Sequence, residues 1–160
     1  MKMLFTLVMV FSFITSFLLA NSLEIGSPAP QLKVLTDEGI TLDLGEALST
    51  GTTLVFFYPK AMTPGCVKQA CSLRDGWDEL QARGVKIFGV SKDTVKTQAQ
   101  FRDKYTLPFT LLADTDRKIA DAFSKPMIRQ AYLFKDGILV WRDLMAATSK
   151  QATDVLAALD

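Results

Sequence analysis

Two cysteines, Cys66 and Cys71, lie close together in the segment "FFYPKAMTPGCVKQAC", and the chain contains no histidine. Thr63 and Pro64 predict the start of a helix, because threonine is a favoured N-cap and proline fits the first helical position. Cys66 would then lie in the first turn, where free backbone N–H groups and the helix dipole favour a thiolate. The pattern therefore predicts a reactive sulfur, with a small, inert, buried cysteine as the alternative.

The spacing of the two cysteines argues against a permanent disulfide. In a regular helix, residues five positions apart have Cα atoms about 8 to 9 Å apart, whereas a disulfide needs about 7 Å or less. The pair could bond only after the first turns of the helix unwind, which suits a bond made and broken during a reaction. Two cysteines without histidine do not supply the usual zinc ligands or a cysteine–histidine nucleophile. A Cys-x-x-Cys redox motif is absent as well.

The elements around the cysteines alternate between strands and helices. Strands "QLKVLTD" and "ITLDL" flank a turn at Gly39, "TTLVFFY" is a buried central strand, and one helix is predicted from Thr63 to about Arg83. There follow strand "VKIFGVS", helix "TVKTQAQFRDKY", strand "FTLLAD", short helix "RKIADAF", hairpin "QAYLFKDGILVWRD" turning at Asp136-Gly137, and helix "SKQATDVLAALD". This order predicts an α/β fold of the thioredoxin-like type, with a mixed central β-sheet flanked by helices.

Length, composition and charge indicate one nearly neutral domain. The 160 residues are 49% hydrophobic and 10% aromatic, which is enough to bury a core. Lys and Arg total 18 against 17 for Asp and Glu, and removing Lys2 with the N-terminal segment leaves 17 against 17. Because these charges are scattered, they indicate a solvated surface and neither a nucleic-acid partner nor an acidic membrane surface.

The first 22 residues have the pattern of an export signal. A basic start at Lys2 precedes the apolar run "LFTLVMVFSFITSFLLA" and the small residues Ala20 and Ser22. We expect a signal peptide over 1–22, cleaved after Ala20 or Ser22. An uncleaved membrane anchor is the alternative, because the apolar run approaches ~18 residues. Either way, 23–160 would form one domain outside the cytoplasm, in a periplasmic or other extracytoplasmic space where disulfides persist.

The segment "FFYPKAMTPGCVKQACSLRD" closely resembles the active-site segment of the peroxiredoxins. A second cysteine five positions after the first is similar to the bacterioferritin-comigratory or Q-type subgroup, the atypical two-cysteine peroxiredoxins. The resemblance extends through "GVSKDTVKTQAQFRDKYTLPFTLLADTD" and "RQAYLFKDGILVW", and so covers nearly all of 23–160. Its most specific element is the Pro-x-x-x-Thr-x-x-Cys pattern of Pro59, Thr63 and Cys66 after a buried strand.

The resemblance implies a thiol-dependent peroxidase that reduces hydrogen peroxide or organic hydroperoxides. Cys66 would be the peroxidatic cysteine, whose thiolate attacks a peroxide oxygen and becomes a sulfenic acid. Cys71 would be the resolving cysteine, which forms an intramolecular disulfide with Cys66. Thioredoxin or a similar dithiol donor would then reduce that disulfide. The scheme needs no metal, flavin or nicotinamide cofactor, and the sequence contains no glycine-rich phosphate loop.

The resemblance also assigns the residues that would surround the peroxidatic sulfur. Thr63 would place its hydroxyl on the thiolate and the peroxide, and Pro59 would shield the pocket from water. Arg129 would favour the thiolate and stabilise the charge that moves onto the peroxide oxygens. Backbone N–H groups of Gly65 and Cys66 would complete the substrate-binding cradle. Taken without the resemblance, Arg129 is more simply a surface arginine at a strand end.

Some departures and alternatives stay open from the sequence. Val67 stands where the family often has threonine, and the stretch from Phe123 to Met127 is short. We expect a monomer or a weak homodimer, with membrane association only if the N-terminal segment stays uncleaved. The competing functions are an exported thiol–disulfide exchange protein that acts on client proteins and a non-enzymatic thioredoxin-fold binding module with a structural disulfide.

Overall fold

A computed structural model of the chain describes residues 23–123 and 129–160. The predicted signal peptide at 1–22 and most of the short stretch from Phe123 to Met127 lie outside the described residues. No helix within the described ranges is long and apolar enough to cross a membrane.

Seven strands and six helices are found in the described residues, in an order close to the one predicted. Their bounds are β1 (Lys33–Thr36), β2 (Thr41–Asp43), α1 (Leu44–Leu48), β3 (Thr52–Phe57), α2 (Pro64–Asp75), α3 (Trp77–Ala82), β4 (Val85–Ser91), α4 (Val95–Tyr105), β5 (Thr110–Ala113), α5 (Lys118–Ala122), β6 (Gln130–Lys135), β7 (Ile138–Asp143) and α6 (Gln151–Leu159).

The strands form one mixed sheet in the order β2-β1-β5-β4-β3-β6-β7. Strands β3, β4 and β5 pair in parallel through helical crossovers, whereas β6 pairs antiparallel with both β3 and β7. This arrangement confirms the predicted mixed sheet with a C-terminal hairpin. The hairpin turns where predicted, because Asp136 and Gly137 both have positive φ, at 49° and 80°, as a two-residue type I′ turn requires.

Alternate residues of the central strand β3 enter two separate cores. Leu54 and Phe56 pack in the core beneath α2, α3, α4 and α6, whereas Val55 and Phe57 pack in the core that includes residues of α1 and α5. Helices therefore cover both faces of the sheet, and the uninterrupted apolar run of β3 reflects burial on both sides. The carboxyl end of β3 leads directly into the segment that carries both cysteines.

The helix predicted from Thr63 to Arg83 is divided in two at Gly76. The backbone of Gly76 leaves the helical conformation at φ −89° and ψ 6°, and its amide N–H donates to the carbonyl of Ser72. Packing favours glycine at this position, because a Cβ on residue 76 would lie 2.6 Å from the Cβ of Ala152 in α6. The last helix therefore crosses close to the break, at a position that periodicity alone did not mark.

Helix α1 was not predicted, because the segment "ITLDL" was interpreted as a strand only. Its N-cap is Asp43, whose carboxylate accepts a hydrogen bond from the backbone N–H of Glu46. An acidic N-cap followed three residues later by glutamate is the sequence signature of a helix start. The signal was present, but the preceding strand-like alternation obscured it.

The contact between Gly76 and α6 gives a stability prediction. Gly76→Ala should lower the free energy of unfolding by about 1–3 kcal/mol, because the new methyl group overlaps the Cβ of Ala152. Urea denaturation measures the loss. The double variant Gly76→Ala/Ala152→Gly should lose less than the sum of the two single variants. Strict additivity of the two losses would show that the methyl group at position 76 does not overlap Ala152.

Candidate functional site

The start of α2 lies just beyond the carboxyl end of β3. Thr63 occupies the N-cap position with extended backbone, and Pro64 follows as the first helical residue, as predicted. The Thr63 side chain makes no capping hydrogen bond, and its hydroxyl donates instead to the carbonyl of Lys60 at 2.8 Å. The donated proton leaves the lone pairs of the hydroxyl oxygen available to accept a hydrogen bond.

Cys66 is the third residue of α2, and its exposed fraction is 0%. The guanidinium Nη2 of Arg129 donates to its Sγ at 3.6 Å. This contact depends on the sheet, because the antiparallel pairing of Phe57 with Gln130 brings the residue before β6 beside the segment that follows β3. A positive charge and the N-terminal end of a helix therefore meet at one buried sulfur.

Gly65 makes room for this arginine. A Cβ added at Gly65 would lie 2.2 Å from Nη2 of Arg129. This distance is far below van der Waals contact, so any side chain at position 65 would clash with the guanidinium. The sequence resemblance assigned Gly65 a backbone role in a substrate cradle. The structure adds a steric role, because only glycine allows the guanidinium to approach both the helix start and Cys66.

The main chain of Arg129 is anchored by a hydrogen bond, and one donor of its side chain has no partner among the described residues. Its carbonyl accepts a hydrogen bond from the backbone N–H of Ala146 at 3.1 Å, which ties it to the loop before α6. Its Nε is buried and has no hydrogen-bond partner among the described residues. A buried donor without a partner is unfavourable by about 1–3 kcal/mol, and an oxygen-bearing ligand beside Cys66 would satisfy it.

Cys71 lies on the same helix and is half-buried, and both cysteines are free thiols. Helix α2 is continuous from Pro64 to Asp75, so the two Cα atoms are about 8 to 9 Å apart by regular helix geometry. The structure thus brings Thr63, Gly65, Cys66 and Arg129 together and leaves Cys71 apart. Pro59 is exposed, and its predicted shielding of the pocket stays a prediction.

A buried polar network beneath Cys66 was not found by sequence reasoning. Tyr58 donates its hydroxyl proton to Oε1 of Gln98, and Gln98 in turn donates to the hydroxyl of Ser91 at 3.1 Å. Burial raises the pKa of Tyr58 above its usual value, and the charges of Asp93 and Cys66 act in the same direction. The phenol therefore stays neutral and keeps its proton for the hydrogen bond to Gln98.

Asp93 is the residue of this network that positions the loop before α2. One carboxylate oxygen, Oδ2, accepts hydrogen bonds from the backbone N–H of Ala61 at 2.7 Å and from the Ser91 hydroxyl at 2.6 Å. The next residue, Met62, has a positive φ of 67°, an uncommon conformation for a residue other than glycine. Asp93 follows β4, which is parallel to β3, so it lies at the same edge of the sheet as the loop before α2. The order of the predicted strands could have indicated this position.

The sequence profile of the AhpC/TSA family matches residues 25–142 of this chain. Among curated proteins, the peroxiredoxin Bcp of Escherichia coli strain K12 is 42% identical over 103 residues. That match covers 64% of this chain and 65% of the relative, which is slightly less than two thirds of the relative's length.

Solved structures show the same fold. The peroxidoxin BcpB of Mycobacterium tuberculosis is 28% identical and superposes with a TM-score of 0.78 over 86% of this chain and 96% of its own. The bacterioferritin comigratory protein of Xanthomonas campestris, described for its alkyl peroxide reduction activity, is 29% identical, with a TM-score of 0.74 over 80% of this chain and 89% of its own. These similarities confirm the predicted fold class, a thioredoxin-like mixed sheet flanked by helices.

The close approach at Gly65 gives a test of the arginine's position. Gly65→Ala should displace the Arg129 guanidinium from Cys66, because the new Cβ would lie 2.2 Å from Nη2. The second-order rate constant of Cys66 with hydrogen peroxide, followed by stopped-flow fluorescence, should fall on the order of tenfold to a hundredfold. Lys68→Ala, an exposed substitution on the same helix, is the control and should keep the parental rate constant. If Gly65→Ala kept the parental rate constant, the contact of Arg129 with Cys66 would not be needed for the reaction with hydrogen peroxide.

Proposed function

The chain belongs to the AhpC/TSA family, and from this premise we propose that it is a thiol-dependent peroxidase that acts on hydrogen peroxide or organic hydroperoxides. The observation that carries the proposal is the contact of Arg129 Nη2 with Cys66 Sγ at 3.6 Å, at the N-terminal end of α2. Similarity to proteins named peroxiredoxin Bcp and to a structure described for alkyl peroxide reduction supports the same chemistry.

The first step takes place while α2 is intact and Cys66 lies beside Arg129. The Cys66 thiolate attacks one peroxide oxygen, so that an S–O bond forms as the O–O bond breaks. The leaving oxygen takes a proton and departs as water or an alcohol, and Cys66 is left as a sulfenic acid. Arg129 stabilises the charge that moves onto the leaving oxygen, and its Nε, which has no partner within the described part of the chain, is a second donor for that oxygen. The Thr63 hydroxyl, which donates to Lys60, can accept a hydrogen bond from the O–H group of the peroxide.

The second step joins the two cysteines. The Cys71 thiolate attacks the sulfur of the Cys66 sulfenic acid, an S–S bond forms, and the hydroxyl group leaves as water after taking a proton. The first turns of α2 must unwind before this step, because the intact helix holds the Cα atoms about 8 to 9 Å apart. An external dithiol, thioredoxin or a similar protein, then attacks the disulfide and restores both thiols.

The alternative functions have less support. A binding module with a structural disulfide would hold Cys66 and Cys71 bonded in the folded state, whereas both are free and lie in one continuous helix. A thiol–disulfide exchange protein would act without peroxide on client proteins, whereas the exposed fraction of its reactive residue, Cys66, is 0% in the folded state. The peroxidase proposal fits both the free thiols and the burial of Cys66.

The two cysteine variants test the proposal directly. The purified domain is mixed with hydrogen peroxide and dithiothreitol, and the consumption of peroxide is followed over time. Cys66→Ser should consume peroxide no faster than buffer, because the attacking sulfur is lost. Cys71→Ser should still react once, giving a Cys66 sulfenic acid that dimedone traps, and its turnover should depend on small thiols. Parental turnover by Cys66→Ser would refute the peroxidatic assignment, and an intermolecular disulfide in the parent would remove the resolving role of Cys71.

Export is a separate proposal, which rests on the pattern of residues 1–22 and on no structural observation. Expressed with its N-terminus in a bacterial host, the protein should be recovered outside the cytoplasm. Its mass should correspond to a chain that begins at Asn21 or Leu23. A version that begins at an added methionine before Leu23 should stay in the cytoplasm and serves as the control. An uncleaved chain in the cytoplasmic fraction would contradict export, and an uncleaved chain in the membrane fraction would favour the anchor.

A further inference from the structure

Helix α2 carries a buried amide between its two cysteines. Gln69 lies three residues after Cys66 and two before Cys71, and it is fully buried. Its Nε2 donates to Oε1 of Gln151 at 2.8 Å and lies 3.5 Å from the carbonyl oxygen of Phe57. Gln151 is the first residue of α6 and is also fully buried. The segment between the two thiols is therefore joined to the last helix by a side-chain hydrogen bond.

This amide pair is only half satisfied. Oε1 of Gln69 and Nε2 of Gln151 are buried and have no hydrogen-bond partner among the described residues. Two facing amides can exchange two hydrogen bonds, but this pair makes one. The bond holds α2 against α6, while the two unpaired atoms limit how strongly it does so. A contact of this kind is suited to being released.

The bond to Gln151 must break when the cysteines meet. Cys66 and Cys71 come within bonding distance only if the turn between them unwinds, and Gln69 belongs to that turn. A second contact between the same two helices, in which the backbone N–H of Ala152 donates to the hydroxyl of Ser72 at 3.2 Å, lies beyond Cys71. That second contact can persist while the first turns open.

We propose that Gln151 is a positioning residue whose hydrogen bond to Gln69 acts as a latch on α2, setting how fast the Cys66 sulfenic acid reaches Cys71. The inference rests on the proposed peroxidase function. The sulfenic acid has two fates. Attack by Cys71 forms the disulfide and releases water, whereas a second peroxide adds an oxygen to the sulfur, giving a sulfinic acid and releasing water or an alcohol. Opening of the latch decides between them.

Gln151→Leu tests the latch, because it removes the acceptor and keeps a side chain of similar size. The rate constant of disulfide formation, followed by the fluorescence of Trp77 and Trp141 after one equivalent of peroxide, should rise about twofold to tenfold, the factor expected for one hydrogen bond. The sulfinic acid formed at high peroxide, measured by mass spectrometry, should fall. The rate constant of the first peroxide reaction should stay at the parental value, because the contact of Arg129 with Cys66 is retained.

Two control variants separate the latch from a general loosening of the helix interface. Gln151→Glu keeps an oxygen acceptor for Gln69 at the start of α6, where a carboxylate is tolerated by the helix dipole, and should keep slow disulfide formation. Ser72→Ala removes the other hydrogen bond between α2 and α6 and should leave disulfide formation at the parental rate. An increase in Ser72→Ala equal to that in Gln151→Leu would overturn the proposal, as would parental disulfide formation in Gln151→Leu.

Hydrogen exchange of the reduced protein tests the latch without any peroxide chemistry. The backbone amides from Cys66 to Cys71 should exchange about twofold to tenfold faster in Gln151→Leu. Unchanged exchange would refute the latch even if the peroxidase proposal holds, and faster exchange without a peroxide reaction would refute only the peroxidase proposal. Gln69→Met removes the same bond from the α2 side, together with the contact with the Phe57 carbonyl, and should speed both exchange and disulfide formation at least as much as Gln151→Leu. A folding failure in one variant therefore leaves the other to decide.

Discussion

The separation of Cys66 and Cys71 along one continuous helix is the constraint on which the site depends. The helix must be intact to place the first sulfur at its N-terminal end, in contact with Arg129. The same intact helix keeps the second sulfur outside bonding distance, at about 8 to 9 Å between Cα atoms. Under the proposed function, reaction with a peroxide and formation of the disulfide therefore require two different states of α2, and the surrounding structure has to stabilise the first without preventing the second.

The mixed sheet supplies that stabilisation from distant parts of the chain. Antiparallel pairing of β6 with β3 brings Arg129 to the start of α2, and parallel pairing of β4 with β3 brings Asp93 to the preceding loop. Helix α6 contributes Gln151 to the middle of α2. Arg129 contacts the start of α2, Asp93 holds the loop before it, and Gln151 contacts its middle. Three distant parts of the chain therefore meet at the site.

Local patterns in the sequence predicted much of this arrangement. The strands, the hairpin at Asp136 and the start of α2 at Thr63 follow from residue types over a few positions, and the structure has them there. The resemblance supplied Arg129, which residue types alone would have left as a surface arginine. What could not be predicted depends on packing between distant segments. The need for glycine at position 76 comes from Ala152 in α6, and no local pattern links Gln69 to α6.

Under the proposed function, unwinding of α2 also changes which molecules can reach the sulfur of Cys66. The exposed fraction of Cys66 is 0% while α2 is intact, so a protein with a dithiol could not approach its Sγ in that state. Cys71 is half-buried on the same helix. Because the disulfide can exist only with the first turns of α2 unwound, forming it moves the sulfur of Cys66 out of its buried position. One structural change thus protects the sulfur from a second peroxide and presents it to the reductant.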